Sequence, residues 1–313
     1  MKNILITGGC GYVGVQLVPR LLDNNYKVIV IDTCWFGNNL KKNKNLIIIK
    51  KDIRDIEEKY FNNIDTVIHL ASISNDPSSE LNPKLAWEVG PLATFKILEI
   101  CVKKKIKNFF YASSGSVYGV SKKNKVTEKT DLLPISDYNK QKMVTEKILE
   151  TYSKKIRIVV IRPATVCGFS ERLRLDVTVN ILTYQAYKNK IITVFGGKQI
   201  RPNIHISDMI EIYLFLLKNK KIEGTFNAGF ENLSVLKIAK KIQKLTSCKI
   251  KILKSNDPRS YRLDSSKLLK TGFKPKKNVD FAISELLNFF KKKKFISSDN
   301  NINLKIIKNK NIV

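Results

Sequence analysis

The stretch "NILITGGCGYVG", residues 3–14, decides the fold of this chain. A short apolar run opens it, and Gly8, Gly11 and Gly14 follow where a helix is expected to begin. A strand, a tight glycine turn and a helix start, in this order, are typical of the first unit of a doubly wound α/β sheet. Gly8 permits the turn, Gly11 lets the backbone approach a pyrophosphate, and Gly14 lets the helix pack on the strand. The helix N-terminus offers free N–H groups to phosphates.

Asp32 is the second indication of a dinucleotide site. It ends the next predicted strand, "VIVID", eighteen residues after Gly14. A carboxylate there accepts hydrogen bonds from the adenosine ribose hydroxyls and repels a 2′-phosphate. Because no arginine follows immediately to bind such a phosphate, the sequence favours NAD over NADP. Asp52 and Ile53, after the third predicted strand, are candidates to flank the adenine, and an ordinary turn explains them equally well.

Apolar runs alternate with amphipathic stretches outward from this first unit. Continuous apolar strands separated by helices indicate a parallel sheet that is covered on both faces. The fold class is therefore α/β, a doubly wound parallel sheet with a smaller C-terminal α/β lobe. The predicted strands span 3–8, 27–32, 45–50, 65–71, 108–114 and 157–163, and the predicted helices of this half span 12–24, 84–105 and 138–153.

The domain organisation follows from a change of rhythm near residue 165. We predict a dinucleotide-binding domain over 1–165, and a substrate-binding lobe over 166–294 with some segments returning to the first domain. Residues 295–313 form a basic polar tail that is expected to be loosely held. The lobe is predicted to contain helices at 176–189, 208–219, 234–246 and 279–292, with short strands near 192–195, 225–228 and 249–252.

The net charge of +30 is the strongest feature of the composition of these 313 residues. The lysines are spread along the chain without a nucleic-acid-binding motif or an aromatic ladder, so nucleic acid is not expected as the main partner. A positive surface favours small anionic ligands. No apolar run reaches the roughly 18–20 residues of a membrane helix, and no signal peptide is predicted.

The cysteines and histidines bear on location and metal binding. Five cysteines, odd in number and without a Cys-x-x-Cys pair, are typical of reduced thiols in the cytoplasm. With two histidines in the whole chain, a histidine-based metal cluster is not expected, and we predict no metal site.

Two separated segments, "SSGSVYG" (113–119) and "YNKQK" (138–142), are candidates for one catalytic site. Tyr138 and Lys142 are four residues apart in a predicted helix, so they share one face. An ammonium near a phenol favours the phenolate and lowers its pKa, which makes tyrosine a better general base. Ser114 ends the fifth predicted strand, at the sheet edge where α/β proteins bind ligands. Its hydroxyl can stabilise developing charge on a substrate oxygen.

The whole pattern resembles the extended short-chain dehydrogenases/reductases, the group of NAD-dependent nucleotide-sugar epimerases and dehydratases. The likeness runs from the glycine loop to about residue 290 and implies a Rossmann domain. The motifs that carry it are "TGGCGYVG" (7–14), "HLAS" (69–72), "SSGSVYG", "YNKQK", "RPATVCG" (162–168), "GGKQIRPNIHISDM" (196–209) and "DSSKLLKTGFKP" (264–275).

The resemblance assigns roles to particular residues. Ser114, Tyr138 and Lys142 match the family's catalytic triad, and Lys142 would also hold the nicotinamide ribose. The implied homodimer would form through the helices at 84–105 and 138–153. The implied NAD-binding residues are Gly8, Gly11, Tyr12, Val13, Gly14, Asp32, Asp52, Ile53, Leu70, Ala71, Ser72, Tyr138, Lys142 and Arg162. The implied substrate-binding residues are Ser74, Ser114, Gly115, Ser116, Asn180, Arg201 and Arg259.

Three departures from the family pattern refine the expected reaction. Gly90-Pro91 stands where the family often has Asn, and it should kink the central helix. Cys167 replaces the usual Tyr. Gly115 and Ser116 follow Ser114, where the family's dehydratases carry an Asp-Glu pair, so elimination of water is disfavoured.

The expected activity is that of an NAD-dependent nucleotide-sugar C4 oxidoreductase, foremost a nucleoside-diphosphate-sugar 4-epimerase with a transient 4-keto intermediate. The alternative is a 4-ketoreductase or dehydrogenase with net redox, because the stretch "FSERLRLDVTVN" (169–180) resembles that of enzymes acting on less common sugars. A 4,6-dehydratase, a non-catalytic NAD-binding sensor and a nucleic-acid-binding protein are weaker alternatives.

Overall fold

The computed structural model describes residues 2–120, 125–255 and 260–310. The strands within these ranges are β1 Asn3–Thr7, β2 Lys27–Asp32, β3 Leu46–Lys50, β4 Thr66–His69, β5 Asn108–Ala112, β6 Arg157–Pro163, β7 Thr165–Cys167, β8 Ile191–Phe195, β9 Ile200–His205, β10 Gly224–Ala228, β11 Glu231–Ser234 and β12 Lys249–Leu253. The helices are α1 Gly14–Asp23, α2 Asp76–Leu81, α3 Pro83–Trp87, α4 Ala93–Lys103, α5 Asp137–Tyr152, α6 Thr178–Asn189, α7 Ile206–Lys218, α8 Val235–Thr246, α9 Ser266–Lys270, α10 Val279–Lys293 and α11 Asn303–Asn309.

A parallel sheet forms the centre of the described chain, with seven strands in the order β10-β6-β5-β4-β1-β2-β3. Ile4 of β1 is in register with Val28 of β2 on one side and with Thr66 of β4 on the other. The strand order reverses at β1, and the carboxyl ends of β1 and β4 open a crevice there of the kind that binds ligands. The predicted fold class is confirmed.

Both faces of the sheet are covered, as the apolar strands require. One core lies against α1 and α7 and includes Ile6, Leu17 and Tyr213. The other lies against α4 and α5 and includes Leu5 and Leu149. Alternate residues of β1 thus enter opposite cores, which holds the strand and its glycine loop rigidly in place.

The smaller lobe has its own sheets and core. In the described residues, β11, β9 and β7 form one sheet and β12 pairs with β8 in another. Helices α6, α8 and α10 enclose a core that includes Val179, Ile238 and Ile283. β10, although it follows the start of the lobe in sequence, pairs with β6 and completes the central sheet.

The central helix is interrupted at the predicted Gly90-Pro91 position. A π-helical turn over Glu88–Leu92 joins α3 to α4. Pro91 has no N–H to donate, so the regular hydrogen-bond ladder is broken at this point. The Gly90 carbonyl accepts from the Ala93 backbone N–H and also from Thr94 Oγ1, at 2.7 Å. The helix is thus interrupted at the position where the sequence predicts a kink.

The tail differs from its prediction. Residues 299–310 are ordered, and Ile306 and Ile307 on α11 are buried. Asn301 donates to Leu173 O at 3.1 Å, and Leu175 N donates to Asn301 O at 2.7 Å. For residues 299–310 the expectation of a loosely held tail is wrong, because some of the apolar residues of this segment, Ile306 and Ile307 above all, pack on a surface that only the folded chain provides. Within the described residues, no helix is long and apolar enough to cross a membrane.

Candidate active site

A cleft of about 750 Å³ lies at the carboxyl ends of the central strands, between the sheet and the smaller lobe. A volume of this size suits a cofactor or a ligand of similar dimensions. The sequence-predicted residues that line it are Gly8, Gly11, Tyr12, Val13, Gly14, Asp32, Asp52, Ile53, Leu70, Ala71, Ser72, Ser74, Ser114, Ser116, Tyr138, Lys142 and Arg201.

The glycine loop fits the backbone of a dinucleotide. Gly8 has a φ of +73°, and a Cβ there would lie 2.6 Å from Ala71 N. A Cβ on Gly14 would lie 2.4 Å from Gly9 O, so the helix and loop pack too closely for any side chain. By contrast, a Cβ on Gly11 would meet only Gly8 O, at 3.2 Å, and would otherwise project into open space. The open space beside Gly11 leaves room for a pyrophosphate, and the free N–H groups at the N-terminus of α1 can donate hydrogen bonds to it.

Asp32 lies at the adenosine end expected for such a cofactor. Its two carboxylate oxygens accept hydrogen bonds from Cys10 N at 2.9 Å and Cys34 N at 2.7 Å. Burial raises its pKa, and these two hydrogen bonds oppose the rise. A carboxylate has about four acceptor sites, so it can still accept from ribose hydroxyls. The Cys10 and Cys34 sulfurs lie 3.6 Å apart beside it, and donor atoms of these three residues lie within 4.8 Å of one another.

Ser114, Tyr138 and Lys142 meet at the other end of the cleft. Ser136 caps α5 by accepting from Asn139 N at 3.3 Å, which fixes the helix that carries Tyr138 and Lys142. Lys142 Nζ donates to Ala112 O at 2.7 Å and lies 5.8 Å from the Tyr138 ring centroid. Ser114 lines the cleft beside Tyr138 and acts to lower the pKa of its phenol.

The pKa of Tyr138 differs from the sequence-based expectation. Burial raises it to about 12, while the positive charge of Arg174 and the hydrogen bond from Ser114 act to lower it. Burial also lowers the pKa of Lys142 to about 7, against the opposing effect of Glu146. The expectation that Lys142 depresses the pKa of Tyr138 is wrong in this structure, because desolvation of the phenol dominates.

Three predicted site residues do not line the cleft. Arg162 forms a buried ion pair with Glu146, with Nε to Oε1 at 3.0 Å. Its Nη1 also donates to the Tyr118 hydroxyl at 2.7 Å. Because these partners hold the guanidinium against α5, it does not face the cleft. Gly115 is likewise buried, beside Pro163 O.

Asn180 is the third of these residues. Its amide accepts from Gly168 N at 3.0 Å and donates to Arg174 O at 2.9 Å and to the Tyr12 hydroxyl at 3.2 Å. These bonds hold the loop after β7 against the glycine loop. The substrate-binding role implied by the resemblance would therefore require a different orientation of the side chain. Arg259 lies outside the described residues.

Several cleft residues were not predicted individually. Arg174 pairs with Asp176, with Nε to Oδ1 at 2.8 Å, and acts electrostatically on Tyr138. Asp76, at the start of α2, raises the pKa of Tyr138 and accepts from Asn139 Nδ2 at 3.3 Å. The sequence did contain a signal for these residues. Charged and apolar residues alternate in "ERLRLD" (171–176), and in an extended chain this alternation would place both arginines and the aspartate on one side.

The doubly wound sheet, the glycine loop and the Ser-Tyr-Lys group define the class of short-chain dehydrogenases and reductases. A sequence profile of the NAD dependent epimerase/dehydratase family matches residues 4–229. The chain belongs to this family.

Individual relatives agree with this assignment. A UDP-glucose 4-epimerase of Lactobacillus helveticus is 28% identical over 320 residues, covering 90% of this chain and 95% of that protein. A dTDP-D-glucose 4,6-dehydratase of Dictyostelium discoideum is 30% identical over 272 residues, covering 77% of this chain and 62% of that protein. Among solved structures, the UDP-glucuronic acid 4-epimerase of Bacillus cereus, in complex with UDP-glucuronic acid and NAD, gives a TM-score of 0.83 at 28% identity, covering 93% of this chain and 99% of that chain.

Proposed function

We propose that this protein is an NAD-dependent nucleoside-diphosphate-sugar 4-epimerase. The observation that carries the proposal is the meeting of Ser114, Tyr138 and Lys142 at one end of a cleft whose other end suits an adenosine. The related 4-epimerases support the same reaction and make UDP-sugars the first substrates to test.

Tyr138, Ser114 and Arg174 have separate roles in the proposed epimerisation. Gly11, Asp32 and Lys142 would hold NAD, which would supply the hydride acceptor for oxidation at C4 of the sugar and, once reduced, the hydride donor for the return step. Tyr138 accepts the proton of the C4 hydroxyl and gives it back after the intermediate has turned. Ser114, which lines the cleft beside Tyr138, donates its hydroxyl proton to the same sugar oxygen. The Arg174 charge favours the Tyr138 phenolate on which the proton transfer depends.

Elimination of water is disfavoured by the residues after Ser114. The Ser116 hydroxyl lies 2.7 Å from Ser114 Oγ and also contacts Asn139, so a hydroxyl stands where an acid would be needed. Net oxidation or reduction at C4 uses the same three residues and is the alternative. It differs from epimerisation in leaving the cofactor in a changed redox state.

The reaction is tested with a panel of UDP-, GDP-, CDP- and dTDP-sugars, with and without added NADH, and products identified by NMR. Inversion at C4 without net consumption of cofactor supports the epimerase. A product that is oxidised or reduced at C4, formed with stoichiometric reduction or oxidation of the cofactor, would contradict the epimerase and support the dehydrogenase or ketoreductase.

The proton transfer is tested with Tyr138→Phe. Loss of the acid–base group should lower kcat by about 10²–10⁴-fold while NAD remains bound, because the substitution removes only a hydroxyl. Tyr26→Phe, far from the cleft lining, is the matched control. Near-normal turnover in Tyr138→Phe would exclude Tyr138 as the base.

We infer that the substrate diphosphate binds near Arg201, which lines the lobe side of the cleft. A guanidinium suits phosphate oxygens because it donates two parallel hydrogen bonds. Arg259 is proposed for the same role on sequence grounds alone.

We also infer a homodimer through α4 and α5. Leu92 and Phe95 are 62% and 48% exposed on this face, and Phe95 packs its edge on Tyr152 of α5. Phe95→Glu should shift sedimentation from dimer to monomer, whereas Ile296→Glu, at a residue that is 71% exposed and lies outside α4 and α5, should leave it unchanged. A wild-type monomer, or a dimer that survives Phe95→Glu, would contradict this interface.

A cytoplasmic location is proposed on the basis of the cysteines. All five, which lie within the described residues, are free thiols, including the close pair Cys10 and Cys34. Thiols remain reduced in a cytoplasmic environment. Trapping of free thiols in freshly lysed cells would test this, and quantitative Cys10–Cys34 oxidation in vivo would contradict it.

A further inference from the structure

Arg172 is a buried guanidinium whose bonding is incomplete. It is 3% exposed and lines the cleft. Its Nη2 donates to Asn303 Oδ1. Its Nε and Nη1 have no hydrogen-bond partner among the described residues. Unpaired buried donors on a charged group are unfavourable unless a ligand satisfies them.

The neighbouring carboxylates are already engaged. Asp176 is held by Arg174 and by the Asn75 amide at 2.9 Å. Asp32 interacts with Arg172 electrostatically, but its oxygens accept from two backbone N–H groups. Burial, followed by the nearby Arg174, lowers the pKa of Arg172 to about 9, with Asp176 and Asp32 opposing. At neutral pH the group is still charged and lacks a dedicated counter-ion.

Phe36 provides one of the two contacts that Arg172 makes across the cleft. It belongs to the loop after β2 and lies 3.9 Å from the Arg172 guanidinium, measured from Cζ to the ring centroid. Both residues line the cleft. A guanidinium stacked on an aromatic face gains both packing and electrostatic attraction. The contact joins the dinucleotide-binding domain to the loop that follows β7.

Asn303 of the tail provides the other contact of Arg172. Asn303, at the start of α11, accepts from Arg172 and also lines the cleft. Its backbone N donates to Asp176 Oδ2 at 3.2 Å, and its amide donates to Ser74 O at 3.3 Å. Buried Ile306 and Ile307 anchor the helix. Asn303 is therefore fixed from both sides of the cleft.

We propose that Phe36, Arg172 and Asn303, here termed the cleft bridge, close the cleft over the adenosine half of NAD, and that the free nitrogens of Arg172 donate to the bound dinucleotide. The inference rests on the proposed function, since NAD is the ligand. Asp32 marks the adenosine end, and phosphate or ribose oxygens supply the acceptors that Arg172 lacks. The bridge must open for NAD to leave.

Retention of this kind matches epimerisation. An enzyme that takes a hydride and returns it regenerates its cofactor in every cycle and has no need to release it. A dehydrogenase or ketoreductase must exchange NAD for NADH at each turnover, and a closed bridge would slow it. The bridge therefore makes slow cofactor exchange the expected property of this site.

The test measures cofactor release from the full-length protein. Protein loaded with NADH is mixed with a large excess of NAD, and the loss of NADH fluorescence gives the dissociation rate. Phe36→Leu, Arg172→Ala and Asn303→Ala should each raise this rate by about tenfold or more, as expected for loss of a charge-assisted contact. Arg20→Ala, an exposed arginine paired with Glu211, is the matched control and should release NADH at the wild-type rate.

The outcomes separate the bridge from the proposed function. If wild-type protein binds NAD and epimerises, but all three variants release NADH at the wild-type rate, the bridge is wrong and the function stands. If the wild type binds no dinucleotide, the proposed function fails as well. If Arg172→Ala weakens the binding of NADP but leaves the binding and release of NAD unchanged, Arg172 contacts a 2′-phosphate and its proposed role in NAD retention is wrong. Should Arg172→Ala fail to fold, Phe36→Leu carries the test, because it keeps the hydrogen bond between Arg172 and Asn303.

Discussion

Lys142, for which we propose a role in the reaction, lowers the stability of the folded protein because it is buried. Burial lowers its pKa to about 7, so the native state favours the neutral amine while the unfolded chain favours the ammonium up to its ordinary pKa of 10.5. The folded state is therefore destabilised as the pH falls from 10.5 towards 7, and the full penalty persists below 7. Its hydrogen bond to Ala112 O recovers part of this penalty.

Lys142→Met should therefore stabilise the protein without cofactor by about 1–3 kcal/mol at pH 7 and abolish turnover. Urea unfolding measured at pH 7 and pH 10 would check this. The gain should shrink at pH 10, because the native lysine is already neutral there and the unfolded lysine, with its pKa of 10.5, begins to lose its proton. A variant no more stable than wild type at pH 7 would contradict the assignment.

The residue scale also shows what sequence can and cannot predict about the site. Ser114, Tyr138 and Lys142 were predictable because strand ends and helix spacing fix their positions. The orientation of Arg162 was not predictable, because it depends on Glu146 of α5, which reaches it only in the folded chain. Arg172 was missed for the same reason, since its neighbours Phe36 and Asn303 come from distant parts of the sequence.

At the scale of elements, the π-helical turn positions the catalytic helix. Gly90 faces Gln141 of α5, and a Cβ on Gly90 would lie 3.1 Å from Gln141 Oε1. A small residue there lets the turn approach α5 closely, one residue before Lys142. A larger side chain must displace either Gln141 or the helix itself.

A size series at position 90 tests this contact. Gly90→Ala should cost less than about 1 kcal/mol, because the flexible Gln141 side chain can move aside. Gly90→Leu should cost about 1–3 kcal/mol and lower kcat more than it changes KM, because it shifts Tyr138 and Lys142 together. Urea unfolding and steady-state kinetics give both quantities, and equal behaviour of the two variants would argue against a positioning role for the turn.

Sequence periodicity located the long elements well, and most predicted helix ends lie within two residues of the observed ones. It missed the short strands β7, β9 and β11 and the short helices α2, α9 and α11. β7 has three residues and exists because Thr165 pairs with Asn203 of β9. Such short strands depend on partners far away in the chain, so local patterns carry little information about them.

At the scale of the whole molecule, His69 joins the sheet to a helix. Its ring contacts Thr7 Oγ1 of β1 at 2.6 Å and Thr94 Oγ1 of α4 at 2.9 Å. Burial, with a smaller contribution from the Lys142 charge, lowers its pKa to about 3. The native ring stays neutral at pH values where the unfolded ring takes up a proton.

Stability should consequently fall with pH between about 6.5 and 3, because the unfolded state binds one more proton at this site. His69→Gln should flatten this dependence by about 1.4 kcal/mol per pH unit between pH 6 and pH 4. The free energy of unfolding in urea at several pH values gives both slopes. Parallel pH profiles for the two proteins would show that His69 does not carry this effect.

The position of α11 in the sequence has a consequence for how the holoprotein is assembled. The glycine loop, Asp32 and α5, which carries Tyr138 and Lys142, all precede residue 153, whereas the segment that we propose to cover the adenosine end begins near residue 299. A chain that folds as it is synthesised therefore forms the cofactor cleft while it is still uncovered. We expect NAD to enter at this stage and the docking of α11 to follow, so that loading the cofactor belongs to the maturation of the protein rather than to its catalytic cycle.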